Sequence, residues 1–464
     1  MKIIIRLLIV ISCTWVHSQT TGKNTAGGEF KYKTQHNACL TPSERHHIIK
    51  NLKSSLASLQ TQKRESISKT SIPSTKFIWP VKQLETILYN EIWVISNYVD
   101  HNAQFPNQIT DYNGGNRSYD TNNGYNHQGT DIFIWPYSWK TMDEDGLQVI
   151  AAASGEIIYK NDGEYDRICA LNNSNNWNAI YIKHDDGSVA WYGHLKEFSI
   201  TNKAVGDVVA QGEYLGVVGS SGNSTGPHLH FEVYEDDTFN INKLIDPYQG
   251  PNNNLNSTSW WASQKPYRNP AINALTTNNS DPDFGTCPEA ETTNESNQFS
   301  INDTVFFIAF LKDQYPGSEL NIKVFDPMDN EVYNFDRTML NDFNISWWRY
   351  SGTVNQNGVW RVQATFDGQV LNHEFNVGTL NTKDFNLDKI SVYPNPVKDV
   401  LQISSKVKIS SAILKDVLGK KVLSVINSGA GVNELDTQFL TEGLYFLSLS
   451  NDDGFIKTIK IIKK

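Results

Sequence analysis

Beyond the stretch Met1–Cys13 the chain has no apolar run long enough to cross a bilayer, which excludes a stable membrane span. Basic runs are missing too. Lys and Arg total 40 against 50 Asp and Glu, and the net charge of −10 argues against a nucleic-acid partner. Cysteine is scarce, with 4 residues in 464 and no CxxC spacing, so a zinc site built on cysteines is excluded. Only 19% of residues are charged while 11% are aromatic, and no long span reads as disordered. What remains is a folded, β-leaning chain, long enough for about three domains at ~150 residues each.

The N-terminus has the shape of an export signal. Lys2 and Arg6 precede an apolar run through Ile11 that is too short to span a membrane, and cleavage is expected between Ser18 and Gln19. Val10-Ile11-Ser12-Cys13 loosely matches a bacterial lipobox, but lipidation of Cys13 would leave a very short apolar region, so plain cleavage is the reading. Cys39, Cys169 and Cys287 then remain, an odd count in an oxidising compartment. One disulfide and one buried thiol would satisfy it, and spacing leaves the pairing open.

After a polar stretch over 19–38, Thr41-Pro42-Ser43-Glu44 combines a capping box with proline at the first helical position. Ile48, Leu52, Leu56 and Leu59 then share one face, which predicts a helix packed on a neighbouring domain. Ser- and Thr-rich residues 64–75 read as a linker, closing an N-terminal segment over 19–75. Residues 76–250 alternate short apolar runs with turns such as Asp162-Gly163, Asp186-Gly187 and Ser221-Gly222-Asn223, the pattern of an antiparallel β domain. Residues 251–298 read as a connector rich in Asn, Thr and Pro. Short strands over 299–379 predict a β-sandwich of immunoglobulin-like type, and 385–464 a small C-terminal β-sandwich whose Lys-rich last strand is a protected edge. The fold class is mainly β.

Within the first β domain, His228 and His230 fall two apart at the start of a strand, so both imidazoles project from one face. Upstream, His127 and Asp131 stand four apart around Gly129, ahead of another strand. With His230 they complete an N,N,O set, the composition of a catalytic zinc site that keeps its fourth position open. His194 ends a further strand after Gly193. A single histidine on a strand is usually a packing or surface residue; the combination within one domain is what points to metal. His101, His184 and His373 have no such company and read as non-ligands.

The order His127-x-Gly129-x-Asp131, Tyr192-Gly193-His194-Leu195, Gly216 through Gly222, and Ser224-Thr225-Gly226-Pro227-His228-Leu229-His230 resembles the lysostaphin/LytM-type zinc metallopeptidases over roughly 77–250. The resemblance implies one zinc ion held by His127, Asp131 and His230, with His194 and His228 as the catalytic histidines, in a groove that hydrolyses peptidoglycan cross-bridges. It leaves open which histidine is the general base. One departure is the stretch Trp135-Pro136-Tyr137-Ser138-Trp139-Lys140, longer than the family's usual loop; its aromatics line the groove or cap the sheet edge. Cleavage of Gly-rich proteins, and a non-catalytic wall-binding module on the same fold, are the alternatives. The latter is disfavoured because all five positions are filled.

The C-terminal block resembles the sorting domain of the type IX secretion system. Tyr393-Pro394-Asn395-Pro396, Asp416-Val417-Leu418-Gly419-Lys420 and Gly443-Leu444-Tyr445 carry the likeness. It implies the type IX secretion machinery as a partner and a secreted or cell-surface location, reached by Sec export and then type IX secretion.

Overall fold

A computed structural model describes residues 25–31, 38–62, 75–170, 176–378, 390–405, 408–417, 420–426, 432–450 and 456–464. The expected signal peptide (1–18) and most of the expected linker lie outside them. The chain divides into two compact units, Met1–Gly378 and Thr379–Lys464. Among the described residues no helix is long and apolar enough to cross a membrane.

The first unit is built on an antiparallel sheet with His228–Tyr234 near its centre. Its order runs Trp93–Asn97, Thr130–Ile134, His228–Tyr234, Val189–Gly193, Ala179–Lys183, Gly155–Asn161 and Val208–Val209, and Leu244–Ile245 also pairs with the central strand. Alternation divides the central strand between two faces. Leu229, Phe231 and Val233 enter one core beneath the sheet, shared with Val149 and Leu215 of a second, three-stranded sheet. Tyr234 joins a second core on the face that also carries His228, His230 and Glu232.

Helix α1 (Pro42–Gln62) closes that second core. Its capping box forms as read: the Thr41 amide donates to Glu44 Oε2 at 2.6 Å, and the Glu44 amide to Thr41 Oγ1 at 3.3 Å. Ile48, Leu52, Leu56 and Leu59 are all buried against sheet residues including Ile158, Tyr181 and Trp191.

Two expectations need correction. Ala26–Glu29, inside the stretch read only as polar, is a strand paired with Phe343–Thr353, and Ala271–Asn278, inside the expected connector, is a strand paired with Thr304–Gln314. Both complete one sheet of the β-sandwich; the other holds Gln298–Phe299, Gln369–Val377, Gly358–Phe366, Glu319–Phe325 and Glu331–Thr338. Neither short segment shows a strand period of its own, because each is defined by the edge that it joins. The Trp135–Trp139 aromatics neither line the groove nor cap a free edge. Trp135 and Tyr137 are buried against Ile308, Phe310 and Ile345 of the sandwich, the Trp135 indole donates to the Leu311 carbonyl, and short helix α2 (Ser138–Asp143) follows. The added loop is therefore the seat of the sandwich.

Cys169 and Cys287 form the disulfide, 118 residues apart, and Cys39 is the buried free thiol. A loop of that length is worth ~4–5 kcal/mol in the chain-entropy view.

His101 ties the loop after Trp93–Asn97 to the strand-end residue Asp246. Its Nε2 donates to Asp246 Oδ2 at 2.8 Å, and Nδ1 lies 2.9 Å from Asn254 Oδ1. Burial opposes the charged ring, but Asp246 outweighs it and holds the imidazole above its ordinary value; burial also holds the Asp246 carboxyl above the usual range. Both shifts mean that the folded pair holds protons more tightly than the unfolded chain. The His101 contribution is thus complete below about pH 6.5 and fades as pH rises through the raised value. We expect the urea-midpoint gap between wild type and His101→Gln to be widest at about pH 6 and to narrow toward about pH 8. A gap independent of pH would contradict the pairing.

The second unit pairs a three-stranded sheet (Ile390–Tyr393, Val400–Ser405, Glu434–Asp436) with a four-stranded one (Lys421–Ile426, Ser411–Asp416, Gly443–Ser450, Ile456–Lys463) around Leu401, Leu414, Leu447 and Ile461. The Lys-rich strand lies at a sheet edge. Asn395 of Tyr393-Pro394-Asn395-Pro396 holds it there, donating to the Lys460 carbonyl and accepting from the Ile462 amide.

Candidate metal centre

Ladder register assembles the site. His230 lies opposite Asp131 on one neighbouring strand and opposite Gly193 on the other, so His127, Asp131, His194 and His228 are carried to within a few residues of one point. Two glycines make the room. A Cβ on Gly129 would lie 2.6 Å from the His230 ring, and one on Gly193 would lie 2.2 Å from the Trp177 ring. His194 itself adopts φ 62°, a left-handed backbone that a β-strand end with a bulky residue rarely takes. That turn swings its ring toward His228, with centroids 4.4 Å apart.

All five predicted site residues are buried and gathered here. His127 Nε2, His230 Nδ1 and the two Asp131 carboxylate oxygens face one another. The separations are 3.3 Å between the nitrogens, 2.9 Å from His230 Nδ1 to Asp131 Oδ1, and 3.1 Å from His127 Nε2 to Asp131 Oδ2. Ligands about 2.0–2.1 Å from a tetrahedral zinc stand roughly 3.3 Å apart, so the donor set fits the ion without rearrangement. Each ligand is also tied from behind or beside. His127 Nδ1 meets the Tyr98 carbonyl at 2.8 Å, His230 Nε2 meets Glu232 Oε2 at 3.1 Å, and Asn97 Nδ2 donates to Asp131 Oδ2 at 2.9 Å. Such outer partners fix tautomer and ring orientation.

The electrostatics agree. Burial pushes the Asp131 carboxyl up, but His127 and His228 overcome it and hold it well below the usual carboxylate range. Burial disfavours charge on His127, and Asp131 reverses this. Burial opposes charge on His230 as well, and Cys39 and Asp131 lift it well above its ordinary value. Glu232 is held down to about 2: burial opposes its charge, and Arg45 and His230 outweigh burial.

His194 and His228 differ in kind. Each ties Nδ1 to a backbone carbonyl, His194 to Ser221 at 2.7 Å and His228 to Gly226 at 2.8 Å. Each leaves Nε2 buried without a hydrogen-bond partner. Burial holds both rings below the ordinary histidine value, His194 further because His228 and His230 also bear on it. Both are therefore neutral imidazoles whose Nε2 lone pairs face the site. Asp131 Oδ1 lies 3.8 Å from His228 Nε2. A cleft of about 710 Å³ opens beside them, lined by Asp131, His228, Thr225, Tyr119 and Asn97 and by Asn344 of the sandwich.

His184 and His373 stay outside. His184 Nδ1 bonds the Ser154 carbonyl, and His373 Nε2 lies near Thr277 Oγ1 and Asn297 Oδ1. One participant escapes sequence reasoning altogether. The want of CxxC spacing sets cysteine aside as a zinc donor, yet Cys39 Sγ lies 3.9 Å from His230 Nδ1, and Cys39, His127 and His230 together form a group able to hold a metal ion. No local signal marks it. Burial pushes this thiol up, but His230 and His127 outweigh burial and hold it below its ordinary value.

Residues 125–243 match Peptidase family M23, and residues 391–464 match the secretion system C-terminal sorting domain. The chain is 42% identical over 89 residues to the DD-carboxypeptidase/endopeptidase Mpg of Neisseria meningitidis serogroup B, covering 19% of this chain and 17% of that protein. It is 33% identical over 126 residues to the glycyl-glycine endopeptidase ALE-1 of Staphylococcus capitis, covering 27% and 29%. Among solved structures, the catalytic domain of lysostaphin from Staphylococcus simulans is 31% identical, covering 27% of this chain and 78% of that one, with a TM-score of 0.19. The chain thus spans under a third of the length of these two curated relatives. The sorting domain assigns the chain to type IX secretion, to the cell surface or beyond.

Proposed function

We propose, on the match of residues 125–243 to Peptidase family M23, a zinc-dependent family, that this chain is a secreted zinc metalloendopeptidase cleaving peptide bonds of peptidoglycan. The observation that carries the reading is the convergence of His127, Asp131 and His230, all buried, beside two imidazoles whose Nε2 atoms have no hydrogen-bond partner. His127, Asp131 and His230 would hold the ion. Zinc bound there supplies a Lewis acid for the scissile carbonyl and brings the pKa of a water down toward ~7.

The chain's own residues move the protons. His228 Nε2 accepts a proton from the attacking water, because its Nδ1 is committed to the Gly226 carbonyl. The cation so formed is supported by Asp131, 3.8 Å away, whose pull on His194 is outranked by the opposing influence of His228 and His230. That same Nε2–H then serves the leaving amine. His194, the weaker base of the two, holds the opposite side of the reacting group. It becomes a donor to developing oxygen charge only when it takes up a proton at Nε2, since Nδ1 is held by Ser221.

The relatives include a DD-carboxypeptidase/endopeptidase and a glycyl-glycine endopeptidase, so both a direct D-amino-acid cross-link and a glycine bridge are candidate bonds. The reading is tested by metal removal. Release of new amino termini from purified peptidoglycan should stop when the chain is stripped with a chelator and return on adding zinc. Release that survives complete stripping would refute it.

A further inference from the structure

The groove that crosses the metal centre has two halves, and they are not alike. On the side of Asp131, His228 and Thr225 it is the open cleft of about 710 Å³. On the side of Trp177, Tyr181 and Tyr234 it is filled by the chain's own N-terminal segment. Ala38, Cys39 and Leu40 are buried there, and α1 lies over the face from which the histidines project.

The hold is polar as well as apolar. Arg45 reaches Glu232, two residues along the strand from His230, with Nη1–Oε1 at 2.5 Å and Nη2–Oε2 at 3.0 Å. Glu44 accepts from Asn223 Nδ2 at 3.1 Å, in the loop before His228, and Ser55 Oγ donates to the Ile158 carbonyl at 2.5 Å. Where this segment crosses the metal centre it presents Cys39. The Tyr125 hydroxyl lies 3.0 Å from the thiol, and Sγ, His127 Nε2 and His230 Nδ1 lie within 4.8 Å of one another.

We propose that Cys39 is the fourth protein ligand of the zinc, and that residues 38–62 occupy one half of the substrate groove as an intramolecular inhibitor. The inference rests on the zinc peptidase reading. Its chemistry is direct. Two histidines and one aspartate leave one position of a tetrahedron free, and a thiolate, with a Zn–S bond of about 2.3 Å, is a favourable occupant. The thiol gives up its proton on binding, and the position that substrate and water need is then closed. A peptide substrate extends to both sides of its scissile bond, and on one side α1 and Leu40 stand in its way. Displacement of the segment, by cleavage or by a partner that takes α1, frees both together. Equilibrium opening alone gives partial turnover, set by the open fraction.

Cobalt(II) in place of zinc reports the ligand without reference to turnover. The full chain with one cobalt should show thiolate-to-cobalt absorption, absent from Cys39→Ala and Cys39→Ser at equal cobalt content. Serine keeps the Tyr125 hydrogen bond, so the pair separates loss of ligation from local unfolding. If cobalt binds wild type without that absorption, the ligand assignment is overturned. For inhibition, an open state of roughly 1–10% in wild type means that Cys39→Ala should raise zinc-enzyme turnover about ten- to a hundredfold. Unchanged turnover in a variant that does cut peptidoglycan overturns the inhibitory role and leaves the peptidase reading standing. Thiolate absorption in a chain that never cuts, with or without Cys39, upholds the ligation and sinks the peptidase reading instead.

Discussion

Replacing His230 by alanine should cost the chain its zinc. Of the donors at the centre, His230 alone sits on the central strand, with Nδ1 2.9 Å from Asp131 and Nε2 tied to Glu232. Removing it takes away a ligand and one of the partners of Glu232, so the site is both under-coordinated and misaligned. Loss of an outer hydrogen-bond partner of a metal ligand commonly costs about 10–100-fold in affinity, and loss of the ligand itself should exceed that. The measurement is competitive zinc titration of the wild type, His230→Ala, and His230→Ala with Cys39→Ala. The double variant is needed because Cys39, His127 and Asp131 would still offer three donors. Wild type is expected to bind about one zinc and the double variant none, with the single variant between. Full affinity in the double variant would remove His230 from the ligand set.

His228→Ala should separate binding from chemistry. Its Nε2 is 3.8 Å from Asp131 Oδ1 and has no partner of its own, so the metal donors keep their geometry without it. Zinc content should be unchanged, while kcat falls about 10²- to 10⁴-fold, the range expected for a lost general base. His194→Ala should fall less if His228 is the base. Equal and small losses in both would mean that neither takes the proton.

Much of this site can be read in the sequence because β-structure makes spacing into geometry. His-x-His places two rings on one face, and a histidine and an aspartate four apart around a glycine turn back toward the same point. The capping box of α1 is equally local. What escapes reading depends on distant pairing. Cys39 meets its site 191 residues further on at His230, and Arg45 meets Glu232 at a separation of 187. Nothing near either residue announces its partner. The Trp135–Trp139 stretch is visible as an addition, but its purpose is not, because the apolar surface that receives it is the sandwich strand Thr304–Gln314. The strands Ala26–Glu29 and Ala271–Asn278 fail for the same reason. Each is short, Gly- or Asn-bearing, and completed only by a partner strand elsewhere in the chain.

On the function proposed above, this metal centre hydrolyses a peptide bond in the cell wall. This is tested most directly by mass spectrometry of fragments released from purified peptidoglycan by the zinc-loaded Cys39→Ala chain, with His228→Ala in the same background as control and a glycine-rich protein as competing substrate. New peptide termini are expected at one defined type of cross-link bond, absent in the control. Intact peptidoglycan with cleavage confined to the glycine-rich protein would contradict the assigned substrate, and no cleavage of either would contradict the assigned activity.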